Sequence, residues 1–170
     1  MAITWIEPTV ITPANDSQWV DIDVSSYVAE GATGVVLYCA NKTSSTSLNF
    51  GCHKNGSTDA RYKTILALGQ IWAACGIDSN ATLELYVGNI MYGVVYLVGY
   101  FTGDVFHTNG VAKTPSVTGQ WVDVDIEADD GAVAAVLEGY QSITTEYALG
   151  LRQNGSTDER LNGMRYSMFA

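Results

Sequence analysis

Two short phrases occur twice in this chain, in the same order. Gln18–Val24 reads QWVDIDV and returns as QWVDVDI over Gln120–Ile126; Asn55–Arg61 reads NGSTDAR and returns as NGSTDER over Asn154–Arg160. The first pair lies 102 positions apart (Gln18 against Gln120) and the second 99 (Asn55 against Asn154), a period too long for a solenoid, whose units seldom exceed about 50 residues. In a chain of 170 residues, that period predicts two tandem copies of one small domain, 1–103 and 104–170.

The first phrase has the period of a half-buried strand: Val20, Ile22 and Val24 share one face, Trp19, Asp21 and Asp23 the other. In the second copy the same reading puts Val122, Val124 and Ile126 inside and Trp121, Asp123 and Asp125 outside. A Trp beside carboxylates on a polar face either lies flat over a neighbouring strand or meets a partner. The stretch Thr4–Thr12 is extended and β-branched but contains Pro8, which confines it to a sheet edge. Further strands are expected at Gly34–Ala40, Ser47–Lys54, Thr82–Val87 and Gly93–Phe101, with counterparts of the first two at Ala134–Tyr140 and from Tyr147. Gly51 and Gly150 coincide between copies, the mark of a position that a backbone or large side chain passes closely. With 47% apolar and 15% charged residues and abundant Gly and Tyr, the expected fold class is all-β: two tandem antiparallel β-sandwich domains of jelly-roll type. The second copy reaches Ala170 level with the start of the passage that supplies Thr82–Val87 and Gly93–Phe101 in the first. It is therefore expected to be short of about two strands, either packed on the first copy or completed by a neighbouring chain.

Asn55-Gly56 and Asn154-Gly155 are tight-turn signals, and the Ser, Thr and Asp that follow each pair can hydrogen-bond their own backbone. Arg61 and Arg160 are placed to pair with Asp59 and Asp158 or with the exposed aspartates of the other phrase. As contact surface, the candidates are therefore Trp19, Trp121, Asn55, Asp59, Arg61, Asn154, Asp158 and Arg160. Catalytic chemistry finds little to work with. Cys52 and His53 are adjacent in one strand and point to opposite faces, and the equivalent positions hold Leu151 and Arg152. Asp21 with Asp23, and Asp123 with Asp125, set two carboxylates about 7 Å apart on one strand face, whereas a glycosidase pair flanks a cleft and Ca²⁺ draws its oxygens from loops. No phosphate-binding loop and no HExxH, GxSxG or CxxC motif is present. The expectation is a protein that is not an enzyme and carries no cofactor or metal.

A formal charge of −10 disfavours phosphate-mediated binding of nucleic acid and attraction to anionic membranes. The amino terminus lacks the basic and apolar regions of a signal peptide, and Cys39, Cys52 and Cys75 are an odd set that reads as reduced core thiols made in a cytoplasm.

The combination of WVD[IV]D, SSYVAEGATGVVL, NGSTDAR and VYLVGYF (Val95–Phe101) resembles a β-sandwich module found singly or in tandem in virion proteins of tailed bacteriophages and in prophage regions. The likeness spans most of the first copy and the first half of the second. It implies a non-enzymatic structural or adhesive role, as a capsid decoration, cement or head–tail accessory protein located in the virion. The implied partners are other virion proteins, copies of itself, or, for a tail-fibre or adhesin module, a host-surface glycan.

Overall fold

The computed structural model describes residues 2–127, 134–140, 147–152, 154–157, 162–164 and 167–169. The chain divides into two compact units, Met1–Asn109 and Gly110–Ala170. Among the described residues the secondary structure is all strand, without helix.

The first unit contains β1 (Ile3–Val10), β2 (Trp19–Asp23), β3 (Ala32–Asn41), β4 (Leu48–Lys54), β5 (Lys63–Ile65), β6 (Gln70–Gly76), β7 (Thr82–Val87) and β8 (Gly93–Thr102). They form two four-stranded antiparallel sheets, in the orders β1-β8-β3-β6 and β2-β7-β4-β5. The pairing is nested: β1 with β8, β2 with β7, β3 with β6 and β4 with β5. Alternation along the strands decides which residues fill the space between the sheets. Val35, Leu37 and Cys39 of β3 and Leu97 of β8 are buried, as are Phe50 of β4, Leu83, Leu85 and Val87 of β7, and Val24 just past β2. The two layers touch at Gly93, where an added Cβ would stand 2.7 Å from both Leu48 Cδ2 and Val87 Cγ1 of the opposite sheet. A side chain there would push the sheets apart.

Pro8 falls where expected, in the edge strand β1, and the β1–β8 register shifts between Trp5 and Thr9. Strand β5 has no counterpart among the sequence expectations. A Lys-Thr-Ile run reads as loop, yet Lys63 pairs with Phe50 and is buried on the inner face. The residues from Asp104 to Asn109 stay with the first unit for two reasons. Phe106 lies over Gly34 and Gly76, its ring filling the space a Gly34 Cβ would take, and its ring centroid is 5.2 Å from that of Phe101. Asn109 Oδ1 accepts hydrogen bonds from Ser57 Oγ at 2.8 Å and Thr58 N at 2.9 Å.

In the second unit, β9 (Glu138–Tyr140) pairs with β12 (Ser167–Phe169) and β10 (Tyr147–Leu149) with β11 (Asn162–Met164). These pairings repeat those of the first unit. Tyr147↔Met164, Ala148↔Gly163 and Leu149↔Asn162 is the register of Leu48↔Ile65, Asn49↔Thr64 and Phe50↔Lys63, displaced by the 99 positions that separate the NGSTD phrases. Likewise Glu138↔Phe169, Gly139↔Met168 and Tyr140↔Ser167 follow Tyr38↔Trp72, Cys39↔Ile71 and Ala40↔Gln70.

One expectation is corrected. QWVDVDI does not form a strand: 121–127 is irregular, and Val124 and Ile126 are 38% and 39% exposed where an inward face was expected. Backbone N–H and C=O groups need partners, and a strand exists only beside another. β2 has β7 along its whole length, from Trp19↔Tyr86 to Asp23↔Thr82. Among the described residues no strand pairs with 120–126.

Candidate functional site

The cross-strand register aligns the outer face of the β2-β7-β4-β5 sheet in rows. Trp19, Tyr86 and Gly51 form one row, Asp21, Glu84 and His53 the next. Gly51 is the close-approach position: an added Cβ would lie 2.6 Å from Trp19 Cη2 and 2.9 Å from the Arg61 carbonyl oxygen. The Trp19 ring thus lies flat across the sheet. Its centroid is 3.9 Å from that of His53, 5.6 Å from Tyr62 with the planes only 23° apart, and 5.8 Å from Tyr86. Tyr62 and Tyr86 close the cluster at 4.3 Å. Of the two alternatives for an outward Trp, this is packing over a neighbouring strand.

Beneath it, His53 Nδ1 lies 3.2 Å from Glu84 Oε2 and 3.1 Å from the Lys54 carbonyl. A single ring nitrogen cannot donate well to both. The carbonyl has the better-aligned contact, and the buried Glu84 Oε2 is left without a hydrogen bond. Asp21 is exposed. Asp23 Oδ1 accepts from Ser25 N at 2.8 Å, and that backbone hydrogen bond holds its carboxyl below the ordinary carboxylate value. Among the described residues no group of three or more His, Cys, Asp or Glu side chains is placed to hold a metal ion.

The NGSTDAR loop is occupied with its own unit. Gly56 takes the left-handed φ of 79° that the Asn-Gly signal predicts, and Ser57 N donates to Lys54 O at 3.0 Å. Asn55 Nδ2 donates to Asp78 Oδ2 at 2.9 Å, Ser57 Oγ accepts from Asp59 N at 3.0 Å, and Arg61 reaches Asp59 at 2.8 Å. With Ser57 and Thr58 also bound to Asn109, the loop ties down the chain that leaves the sandwich.

The second unit keeps three of these details without the strand. The Arg152 guanidinium carbon stands 4.2 Å from the Trp121 ring centroid, the contact that His53 makes with Trp19 one repeat earlier. Glu127 N donates to Asp125 Oδ1 at 2.8 Å, as Ser25 does to Asp23. Gly155 has φ 82°, with Asn154 exposed beside it. Asp158 and Arg160 lie outside the described residues.

A surface that the sequence reading did not single out lies on the outer face of the other sheet. Trp5 is 61% and Trp72 53% exposed, with ring centroids 6.3 Å apart at a T-shaped 89°. Tyr38 follows at 5.3 Å from Trp72, and Tyr96 at 6.1 Å from Tyr38. Register explains the grouping: Trp72 opposes Tyr38, Tyr38 opposes Tyr96, Tyr96 opposes Val10, itself 56% exposed, and Trp5 sits opposite Gly99. Gln70 accepts a short hydrogen bond from the Tyr38 hydroxyl. The signal was present as alternation, Tyr38 between Leu37 and Cys39 and Trp72 between Ile71 and Ala73. Apolar residues on both faces concealed it.

A shallow groove of about 270 Å³ lies elsewhere on the first unit, lined mainly by Ser17, Thr46, Ser47, Asn49, Tyr86 and Tyr92. Its lining is hydroxyl, amide and aromatic, with no ionisable carboxylate or ammonium.

The chain matches no protein-family model, no curated protein and no solved structure.

Proposed function

We propose that this protein is a non-enzymatic structural component of a tailed-phage particle, a capsid decoration or head–tail accessory subunit that acts by surface contact. The observation that carries the reading is the uncharged aromatic strip of Trp5, Trp72, Tyr38 and Tyr96 on an otherwise acidic molecule. Exposed aromatic clusters of this kind anchor protein interfaces, because each ring removes much area from water at little cost in side-chain entropy. The nested pairing supports reading the first unit as a jelly roll: four successive pairs of a folded ribbon alternate between two sheets, the architecture of many capsid and lectin domains. Fold alone assigns no function, so that support is by analogy. The second unit is then a shortened copy that retains the β3–β6 and β4–β5 pairings as β9–β12 and β10–β11. The net charge of −10 opposes self-association in solution and makes another particle protein the preferred partner over a second copy.

The test is mass spectrometry of purified particles from a lysate of the encoding phage, followed by rebinding of the recombinant protein to particles stripped of it. Presence at stoichiometric copy number, with binding at least tenfold weaker in the folded Trp5→Ala/Trp72→Ala variant, supports the proposal. Absence from particles, or unchanged rebinding by that variant, overturns it.

A glycan-binding role in a tail fibre or adhesin is the second reading, favoured by the groove of Ser17, Thr46, Ser47, Asn49, Tyr86 and Tyr92. Neutral hydroxyls and amides beside aromatic rings are the groups that hold a neutral sugar. A glycan array with hits that Asn49→Ala and Tyr92→Ala abolish would establish it, and an array without hits would remove it.

A further inference from the structure

Three thiols from three strands face into the core of the first unit. Cys39 of β3 lies opposite Val95 and Ile71, Cys75 of β6 opposite Val35, and Cys52 of β4 opposite Leu85. Val35, Leu85 and Val95 are buried, so all three cysteines face inward, Cys52 from one sheet and the other two from its opposite. Cys39 and Cys75 are themselves four register positions apart along the β3–β6 pair, about 13 Å by strand rise. Cys52 therefore chooses between two partners that cannot reach each other.

The choice is made where the sheets come together. β4 and β6 belong to different sheets, yet their Cα atoms approach within 8 Å. Next to Cys52 and Cys75, Lys54 Cδ lies 3.3 Å from where a Cβ on Gly76 would be. Facing sheets normally stand about 10 Å apart, and a disulfide needs Cα atoms within about 4.4–6.8 Å, so this corner brings the thiols toward bonding range. The Cys75 thiol lies 3.2 Å from the Gly76 carbonyl. Its pKa is pushed well above the ordinary thiol value, first by its hydrogen bond with Cys52, then by burial and by the Cys52 charge, with Lys63 opposing. Burial raises Cys39 likewise, with Cys52 adding to it and Lys63 opposing. The Lys63 ammonium, buried opposite Phe50, opposes both shifts without overcoming them. Cys52 alone of the three is only half-buried.

We propose that Cys52 and Cys75 form an oxidisable dithiol that closes, on exposure to hydrogen peroxide, into a disulfide stapling the two sheets of the first unit, with Cys39 left as a thiol. Cys52 gives up its proton and its sulfur attacks one peroxide oxygen; the O–O bond breaks, the departing hydroxide takes up that proton and leaves as water, and Cys52 becomes a sulfenic acid. Cys75 gives up its proton and its sulfur attacks the Cys52 sulfur. The S–O bond breaks and a second water is formed. Two thiols are oxidised and one peroxide is reduced to two waters. The reaction makes a chain folded with reduced thiols stiffer once it meets an oxidising medium.

The experiment treats the purified full chain with hydrogen peroxide, blocks residual thiols with N-ethylmaleimide after unfolding, and maps tryptic peptides. Lys42, Lys54, Arg61 and Lys63 place the three cysteines on separate peptides. The expected result is a Cys52–Cys75 cross-link lighter by two hydrogen atoms, with Cys39 alkylated, and a dithiothreitol-reversible rise of about 10 °C in the melting temperature. Cys39→Ser keeps the cross-link, whereas Cys52→Ser and Cys75→Ser lose it. A Cys39–Cys52 link, sulfinic acid at Cys52 with Cys75 still reduced, or a cross-link between chains would each overturn the proposal. The wild-type map decides the matter even if a variant fails to fold.

Discussion

The same seven-residue phrase has two fates in this molecule. As Gln18–Val24 it enters a strand; as Gln120–Ile126 it is irregular and exposes its apolar residues. The two versions differ only by exchange of Ile and Val, so strand propensity does not explain the difference. Surroundings do. β7 lies along β2 and the core covers Val24, while no described strand accompanies the second version. What both stretches keep is the aspartate turn at Asp23 and Asp125, the side chain of His53 or Arg152 against the Trp ring, and the left-handed glycine after each Asn. The turns travel with the phrase, whereas the strand forms only where β7 is there to pair with it.

Amide hydrogen exchange gives the most decisive check. The β2 amides paired with β7 should exchange only on global opening of the first unit, so Val20 and Ile22 should be protected on average about a thousandfold or more over Val122 and Val124. Equal protection of the two phrases would break the comparison. Next in size, Leu85→Ala removes a fully buried side chain from the strand between β2 and β4, at a cost of about 3 kcal/mol. Calorimetry should show the loss in a first-unit transition, with the Trp121–Arg152 contact unchanged by Trp fluorescence of a variant retaining only that Trp.

How much of this the sequence revealed follows the same division. Period-2 alternation located β2, and β7 and β8 came out with nearly correct ends, because short turns bound each run. The Asn-Gly turns and the Asp59–Arg61 pair were legible for the same reason, each being closed by neighbours in sequence. Strand β5 was not, since a buried Lys63 contradicts any polarity rule until Phe50 is known to lie beside it. Nor was the exposed Trp5–Trp72 pair, since those rings come from strands at opposite edges of one sheet. The contact candidates Trp19 and Trp121 recur in the sequence, and each ring is engaged within its own unit, Trp19 over Gly51 and Trp121 against Arg152.

Gly51→Ala probes the ring that recurs. Its Cβ would stand 2.6 Å from Trp19 Cη2 and 2.9 Å from a backbone carbonyl, so the ring must lift from the sheet or β4 must shift. The expected cost is about 2 kcal/mol, with a red shift in Trp19 fluorescence. A variant as stable as the parent, with unchanged fluorescence, would mean that the ring does not pack over Gly51.

The smallest effect is electrostatic and belongs to the first unit alone among the described residues. Asp78 resists ionisation through partial burial, but hydrogen bonds from Thr82 N, Asn55 Nδ2 and Asn80 N, together with the Lys54 ammonium, outweigh that and hold its carboxyl below the ordinary value. A carboxyl with a depressed folded pKa binds its proton less readily than in the unfolded chain, whose value is about 3.9. Its stabilisation is therefore fully present above that value and is lost as pH falls through the folded pKa. Solvent screening limits it to about 0.5 kcal/mol. Asp78→Asn should lower first-unit stability by that amount at pH 7 and by nothing once the parent carboxyl is protonated, so the two melting curves should converge as pH falls through the folded pKa. Curves that stay parallel across that range would assign the loss to hydrogen-bond geometry in the turn, a local effect of the kind the two copies share, and would remove charge from what distinguishes them.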